Sequence, residues 1–375
     1  MNVKNVPAAL KILNRKIFYQ LISREGGLSR ADIARKTGIS GATVIKIAEY
    51  LAGRGIITYD AAESLPLPGR KPSPIRFNPD FAFIIAVYME GFYASMGLLN
   101  AEGAVILSRE FKVPNVDDFI RKRFYREIDS LIVAGGIDRG KIIGIGMAIP
   151  AALDSKTRHV YRLPLPHAVW LANLEALSSE LFSRYKVPVF AENDVNAAAY
   201  GEYRNVYSGT TDSLVYVSLG SGLGGGVILN RKLWKGQNAS AGELGYMDFE
   251  HSPHAGAGMG WLEGKTGLAA LKELFDFDIQ APRDPRKEAK IIPYLSRYIA
   301  LALLNINAVL DIKTVVLGGI LADYFSDALV DAVRKEMQKT SPYTPLVVPG
   351  KLHNPSFAGL SHIIMDELLD ELLTR

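Results

Sequence analysis

Residues 192–202 read Glu192-Asn193-Asp194-Val195-Asn196-Ala197-Ala198-Ala199-Tyr200-Gly201-Glu202, and they follow an apolar strand over Val187 to Phe190. A strand that ends on polar residues and passes directly into an alanine-rich helix projects those side chains into the crevice at the strand end, where α/β sheets bind ligands. Asn193 and Asp194 therefore read as hydrogen-bonding partners for a polyol. Asp194 is also placed to act as a general base toward a hydroxyl. Either residue can equally cap the helix, and the sequence leaves that open.

The flanking sequence repeats itself. Phe83 to Leu107 runs strand, glycine turn, strand, Asn-Ala-Glu-Gly turn, strand, and Leu214 to Trp234 does the same through Gly220 to Gly226 and an Asn230-Arg231 turn. Each copy later reaches another apolar strand, Lys141 to Ile149 in the first and Thr314 to Leu317 in the second. Helical stretches fall between, at Phe119 to Val133, Leu174 to Tyr185, Asn193 to Arg204 and Tyr294 to Leu310. Two hairpin-led α/β units predict two lobes with a ligand cleft between them. In the second hairpin Gly220, Ser221, Gly222, Gly224 and Gly225 would let backbone N–H groups approach an anion. This run is neither a G-x-x-x-x-G-K-[ST] phosphate loop nor a dinucleotide fingerprint. A tightly packed hairpin explains it as well.

A different pattern precedes residue 80. Leu10, Leu13, Ile17 and Leu21 recur at helical spacing before Gly26-Gly27. Ser29 with Asp32 makes a capping-box-like start for a second helix that Gly38 ends. After the turn at Ile39-Ser40, Gly41 to Arg54 forms a third helix with Val44, Ile47 and Leu51 on its buried stripe. That is a helix-turn-helix series, and Ser40, Gly41, Ala42, Thr43 and Lys46 would reach DNA in the major groove. Gly55 to Tyr59 and Ile75 to Phe77 read as the strands of a wing, with Arg70 and Lys71 at its basic tip for phosphate or minor-groove contacts. Pro66, Pro68, Pro72, Pro74 and Pro79 exclude a helix there and set a boundary near residue 80.

Charge agrees with this division. Residues 1–80 hold 13 Lys/Arg against 6 Asp/Glu, and the rest 30 against 33, within a net charge of +4 over 375 residues. A basic first domain on a slightly acidic body suits double-stranded DNA as a partner. Apolar runs such as Phe81 to Met89 fall short of the ~20 residues a bilayer span needs, and no stretch reads as a signal peptide. The expectation is a cytoplasmic protein without a membrane partner. With 48% hydrophobic residues and no cysteine, disulfides, thiolate nucleophiles and cysteine-ligated zinc are excluded.

The ordered set of helix-turn-helix, wing, Gly144-Ile145-Gly146-Met147-Ala148-Ile149-Pro150, Glu192 to Ala197, Gly220 to Gly226, Gly242-Glu243-Leu244-Gly245 and Gly318-Gly319 resembles the ROK family of repressors, uncharacterised frames and sugar kinases. It looks most like that family's xylose-repressor-type regulators. The resemblance covers nearly the whole chain. It implies a winged helix-turn-helix followed by a duplicated actin-like, ribonuclease H-type α/β body, with a domain at 1–80, lobes at 81–190 and 191–375, and a C-terminal helix able to return to the first lobe. A sugar between the lobes and a homodimer or tetramer are also implied.

Departures from the family pattern refine this. Sugar kinases of the family carry Asp-x-Gly-x-Thr on the first hairpin, where this chain has Tyr88-Met89-Glu90-Gly91-Phe92. Tyr88, Glu90 and Phe92 would repel phosphates by charge and bulk, so phosphoryl transfer is not expected and Asp194 becomes a vestigial base. The four positions of the family's zinc ligands hold Tyr246, His254, Gly256 and Trp261, so no structural zinc or other cofactor is expected. Asp248, Glu250, His251 and His254 read as a solvated loop in preference to another metal site. Asn193, Asp194, Glu243 and Glu263 match the family's polyol contacts, with Tyr246 replacing a histidine. The expected function is a DNA-binding regulator of carbohydrate-related genes, a repressor controlled by a sugar or sugar derivative. An ATP-dependent sugar kinase with an accessory DNA-binding arm is the alternative, and a body that only oligomerises is a third reading.

Overall fold

The computed structural model describes residues 6–60, 74–90, 93–154, 156–162, 169–251 and 260–374. Three helices come first, α1 (Val6–Ile22), α2 (Arg30–Thr37) and α3 (Gly41–Gly53), and then an antiparallel pair, β1 (Ile57–Tyr59) and β2 (Ile75–Phe77). Ser29 sets the start of α2, since its Oγ accepts from Asp32 N at 3.1 Å while its own N–H donates to Asp32 Oδ2 at 3.3 Å. Gly38 closes the helix at φ +71°. Ser40 belongs to α3 as its N-cap, its Oγ accepting from Thr43 N at 3.3 Å.

Val44, Ile47 and Leu51 are buried as their spacing predicts, and Gly41, Ala42, Ile45 and Lys46 stay exposed. The helix expected from Leu10, Leu13, Ile17 and Leu21 is present as α1, and Ile17 and Leu21 pack on a core. Leu10 and Leu13 are 53% and 51% exposed, while Arg15, Phe18 and Ile22 are buried. The cause is a tertiary one: Phe18 and Ile22 share a core with Ile33 of α2 and with Met365 and Leu369 near the C-terminus, so α1 turns a face toward both.

The body is built on two sheets with one strand order. In the first, β3 (Phe83–Glu90), β4 (Tyr93–Asn100) and β5 (Val105–Lys112) form a meander, and β6 (Ile142–Ile149) and β9 (Val189–Asn193) add in parallel, giving β5-β4-β3-β6-β9. In the second, β10 (Leu214–Leu219), β11 (Leu223–Leu229) and β12 (Lys232–Trp234) form the meander, and β13 (Thr314–Gly318) and β14 (Leu346–Pro349) complete β12-β11-β10-β13-β14. The registers correspond, with Ile85 opposite Ile145 in one sheet and Val215 opposite Val315 in the other. A short pair, β7 (Ala152–Leu153) and β8 (Val160–Arg162), stands apart.

Helices α4 (Val116–Phe119), α5 (Tyr125–Ala134), α6 (Val169–Ala172) and α7 (Leu174–Tyr185) belong to the first half, with a π-helical turn at Ile120–Phe124 joining α4 to α5. Next come α8 (Asp194–Glu202), a second π-helical turn at Tyr203–Tyr207, and then α9 (Glu263–Thr266), α10 (Leu268–Phe275), α11 (Pro285–Leu310), α12 (Ile320–Thr340) and α13 (Pro355–Leu372). By length and composition α11 could cross a membrane. Here Ile291, Leu295, Ile299, Leu303 and Ile306 bury one side of it in the second core.

Two helices join the halves. α13 returns to the first sheet, where the missing side chain of Gly146 admits it: a Cβ there would lie 3.0 Å from Ile364 Cδ1. α8 packs on the second sheet, where a Cβ at Gly226 would meet Ala199 Cβ at 2.2 Å. The two helices then cross closely, since a Cβ at Gly359 would sit 1.8 Å from Ala197 O and one at Gly201 would sit 2.1 Å from Pro355 O. The alanine and glycine content of residues 197–201 is thus dictated by packing distance.

Candidate functional site

Asn193 stands at the junction where β9 ends and α8 begins. Its Oδ1 accepts from Val195 N at 3.0 Å and Asn196 N at 2.9 Å, and its Nδ2 donates to Ala151 O at 3.2 Å. It therefore caps α8 and also borders a cavity of about 260 Å³ between the two sheets. Asp194 borders the same space. Burial, then the charge of Glu90, and more weakly that of Glu243, push its carboxyl up to about 7.

The second hairpin supplies the opposite wall. Gly220, Ser221, Gly222, Gly224 and Gly225 all line the cavity, with Glu243 and Glu263 beside them. Several of these glycines are spent on packing. A Cβ at Gly224 would lie 2.8 Å from Val195 Cγ2, and one at Gly225 would lie 2.7 Å from Leu244 Cδ1. Gly242 adopts φ +94° and its backbone abuts that of Gly225, which fixes the turn that carries Glu243. A Cβ at Gly222 would lie 2.9 Å from Glu263 Oε1, so the small residue there makes room for the carboxylate.

Tyr246 is half-buried on the 3-10 turn Leu244–Tyr246, which follows directly on Glu243 of the cavity wall. Arg70, Lys71, Phe92, His254 and Gly256 lie outside the described residues.

Glu90 is the residue whose place the sequence did not disclose. Tyr88 donates its hydroxyl to Glu90 Oε2 at 2.5 Å, and Ser221 donates its own to Glu90 Oε1 at 2.9 Å. One carboxylate therefore ties the first hairpin to the second. Behind it lies another cavity of about 180 Å³, bordered by Tyr88, Glu202, Tyr216, Asp323 and His353. Burial, followed by the charge of Glu90, pushes the Tyr88 hydroxyl well above its ordinary range, so it remains a donor.

These two sheets and their cleft match the ROK family over residues 84–364. The chain belongs to the ROK family. The match begins after the three N-terminal helices and the β1–β2 pair. The chain is similar to the xylose repressor of Bacillus subtilis, 27% identical over 242 residues, an alignment covering 64% of this chain and 62% of that protein. It thus spans less than two thirds of that relative. Among solved structures it is similar to a ROK family transcriptional regulator, a homolog of the E. coli MLC protein, with TM-score 0.77 and 21% identity over 97% of this chain and 98% of that one. It is also similar to a ROK family glucokinase from Streptomyces griseus in complex with glucose and AMPPNP, with TM-score 0.61 and 22% identity over 75% and 99%. These structures establish a ROK sugar-kinase-like α/β fold with two sheets.

The zinc implied for the family does not fit this chain. Trp261, at one ligand position, packs edge-on against Phe249 and Tyr298 with ring centres 5.8 Å away in each case. A glycine at 256 has no donor side chain, and His254 alone is of the usual ligand type. Among the described residues no group of three His, Asp or Glu side chains is arranged to hold a metal.

From the cleft a chain of contacts leads to the N-terminal helices. At the far end of α8, Tyr200 donates to Asp366 Oδ2 of α13 at 2.6 Å, and Arg204 donates to Tyr200 Oη at 2.8 Å and pairs with Asp366. At the far end of α13, Lys16 Nζ lies 2.5 Å from Asp370 Oδ1 and Arg15 Nη1 donates to Leu373 O at 2.5 Å. The Arg15 guanidinium also covers the ring of Tyr50 on α3, 3.3 Å from its centre.

Proposed function

We propose that this protein is a DNA-binding transcriptional regulator, a repressor of carbohydrate-related genes, whose effector is a sugar or sugar derivative bound in the cleft. The observation that carries the reading is the continuous contact path from Asn193 and Asp194 through α8 and α13 to α1 and α3. In it α1 to α3 with β1 and β2 act as a winged helix-turn-helix, α3 being the recognition helix with Ser40, Gly41, Ala42, Thr43 and Lys46 toward DNA. Arg70 and Lys71 supply the wing. The chain divides near residue 80 and again where β9 passes into α8. Asn193, Asp194, Glu243 and Glu263 are the effector contacts. A homodimer or tetramer in the cytoplasm places two DNA-binding units on paired half-sites. Coupling requires that the sugar bind two arrangements of the molecule with different affinity.

Catalysis is not part of this reading. The Asp194 carboxyl near 7 is suited to a base, which favours a sugar kinase as the second reading. Against it, the Glu90 carboxylate stands in front of the glycine hairpin, accepting from the Ser221 hydroxyl and from the Tyr88 phenol. An anionic γ-phosphoryl group cannot be positioned against that carboxylate. Release of ADP from ATP across a panel of aldoses tests this. No turnover is expected, and a rate of roughly 1–100 per second, the kinase range, would overturn the assignment. Selection of genomic fragments by the protein tests the DNA-binding half.

A further inference from the structure

One face of α8 lines the second cavity, the one behind Glu90. Asp194, Val195, Ala198 and Glu202 border it in succession, so it follows the helix from its first residue to its last. At the helical rise per residue that is a span of about 12 Å. At one end Asp194 stands with Glu90, whose charge acts on it. At the other end Glu202 stands in the same way with Asp323 of α12. Tyr216 lies within the field of Glu202, Asp323 and Glu90 together. Val195, Ala198, Ile320 and Phe357 give the wall its apolar part.

Glu202 carries an unmet demand. Its side chain is fully buried. Oε1 accepts from Lys351 N at 2.6 Å and from Leu352 N at 2.8 Å, while Oε2 has no hydrogen-bond partner among the described residues. Burial raises this carboxyl above its ordinary range against the pull of those two N–H groups, and burial raises that of Asp323 as well. No lysine or arginine lines the cavity among the described residues, and His353, exposed like Asp323, is the one base there. Lys351, next to Gly350 of the wall, holds its ammonium 6.0 Å from the centre of the Tyr207 ring, and Tyr207 does not border the cavity. A buried carboxylate without a paired cation is costly, and a cationic ligand relieves that cost.

We propose that this second cavity is a separate ligand site for a linear aliphatic di- or polyamine, with one ammonium on Glu90 and Asp194 and another on Glu202 and Asp323. Two carboxylate pairs joined by a partly apolar wall complement a flexible alkyl chain charged at both ends. A metal ion is a poorer match, since no three His, Asp or Glu side chains among the described residues are arranged to hold one. Glu90 and Asp194 border both cavities, whereas Glu202 and Asp323 border this one alone. The proposal therefore stands or falls apart from the sugar-responsive reading.

Isothermal titration of the full chain with putrescine, cadaverine and spermidine, against butylamine and butanediol, tests it. At least one of the three is expected to bind about tenfold or more tightly than butylamine, because a second ammonium meets a second carboxylate pair, and butanediol is not expected to bind. Asp323→Asn, and Glu202→Gln, which keeps an acceptor for Lys351 and Leu352, are each expected to weaken that binding by at least about fivefold. Glu263→Gln, in the wall of the other cavity alone, is expected to leave it within about twofold. If Glu202→Gln does not fold, Asp323→Asn, at an exposed position, decides. Polyamines that bind no better than butylamine, or that keep their full affinity in Asp323→Asn, overturn the proposal. Binding lost in Glu263→Gln and kept in Asp323→Asn places the amine in the other cavity and overturns it equally.

Discussion

Ser221 Oγ lies 2.9 Å from Glu90 Oε1, and that hydrogen bond joins hairpins that begin the two halves of the molecule. A hydrogen bond to a charged group contributes at most about 1.5–3 kcal/mol, and less where water reaches it, as here. Ser221→Ala is therefore expected to weaken sugar binding by about two- to fivefold, through a looser cleft wall. Titration calorimetry checks this, and unchanged affinity would mean that the bond does not hold the cleft.

Asp194 sets a pH dependence. Its folded-state carboxyl is raised to about 7 from an unfolded value of 3.8, so between those values the folded protein holds a proton that the unfolded chain has lost. Stability from this group is complete below about pH 4 and declines as pH rises toward 7. Asp194→Asn removes the decline. The difference in Tm, variant minus parent, should grow between pH 4 and 7 and then level off, and a flat difference would contradict the raised carboxyl.

Much of this was legible beforehand because it is local. The capping box of Ser29 and Asp32, the buried stripe of α3 and both hairpins follow from neighbouring residues, and they appear where the sequence placed them. The apolar run Val187 to Phe190 predicts a strand that starts two residues and ends three residues before the one found, since β9 runs Val189–Asn193 and its end is set by pairing with Ile149 on β6. Tertiary partners hid the rest. Arg15 is an unremarkable basic residue in sequence, and only the return of α13 buries it against Tyr50 and Leu373. Glu90 reads as a lost phosphate motif until Ser221 is seen to donate to it. Gly201 and the alanines before it signal helix, but the reason for them is a second helix that begins only at Pro355.

Lys46 is exposed at the N-terminal part of α3. Lys46→Ala should weaken DNA binding across sequences and reduce the slope of log affinity against log salt by about 1 if it contacts one phosphate. A salt series by fluorescence anisotropy reads the slope directly. An unaltered slope would remove Lys46 from the DNA contacts.

Arg15 links α3 to the end of α13, so it separates communication from binding. Arg15→Ala loses a cation–π contact and a buried hydrogen bond and is expected to cost about 2–3 kcal/mol of stability. At temperatures where the variant is folded it should still bind sugar and DNA, but sugar should alter its DNA affinity less than in the parent. Calorimetry and anisotropy on the same preparation check both halves. A full sugar response in the variant would place the coupling elsewhere.

The central claim is that occupancy of the cleft changes DNA affinity. Titration of a genome-selected DNA fragment with the full protein, with and without a saturating neutral sugar already shown to bind, measures it. The expected result is a shift in Kd of at least about tenfold, equivalent to about 1.4 kcal/mol of coupling. The same Kd with and without bound sugar would contradict it.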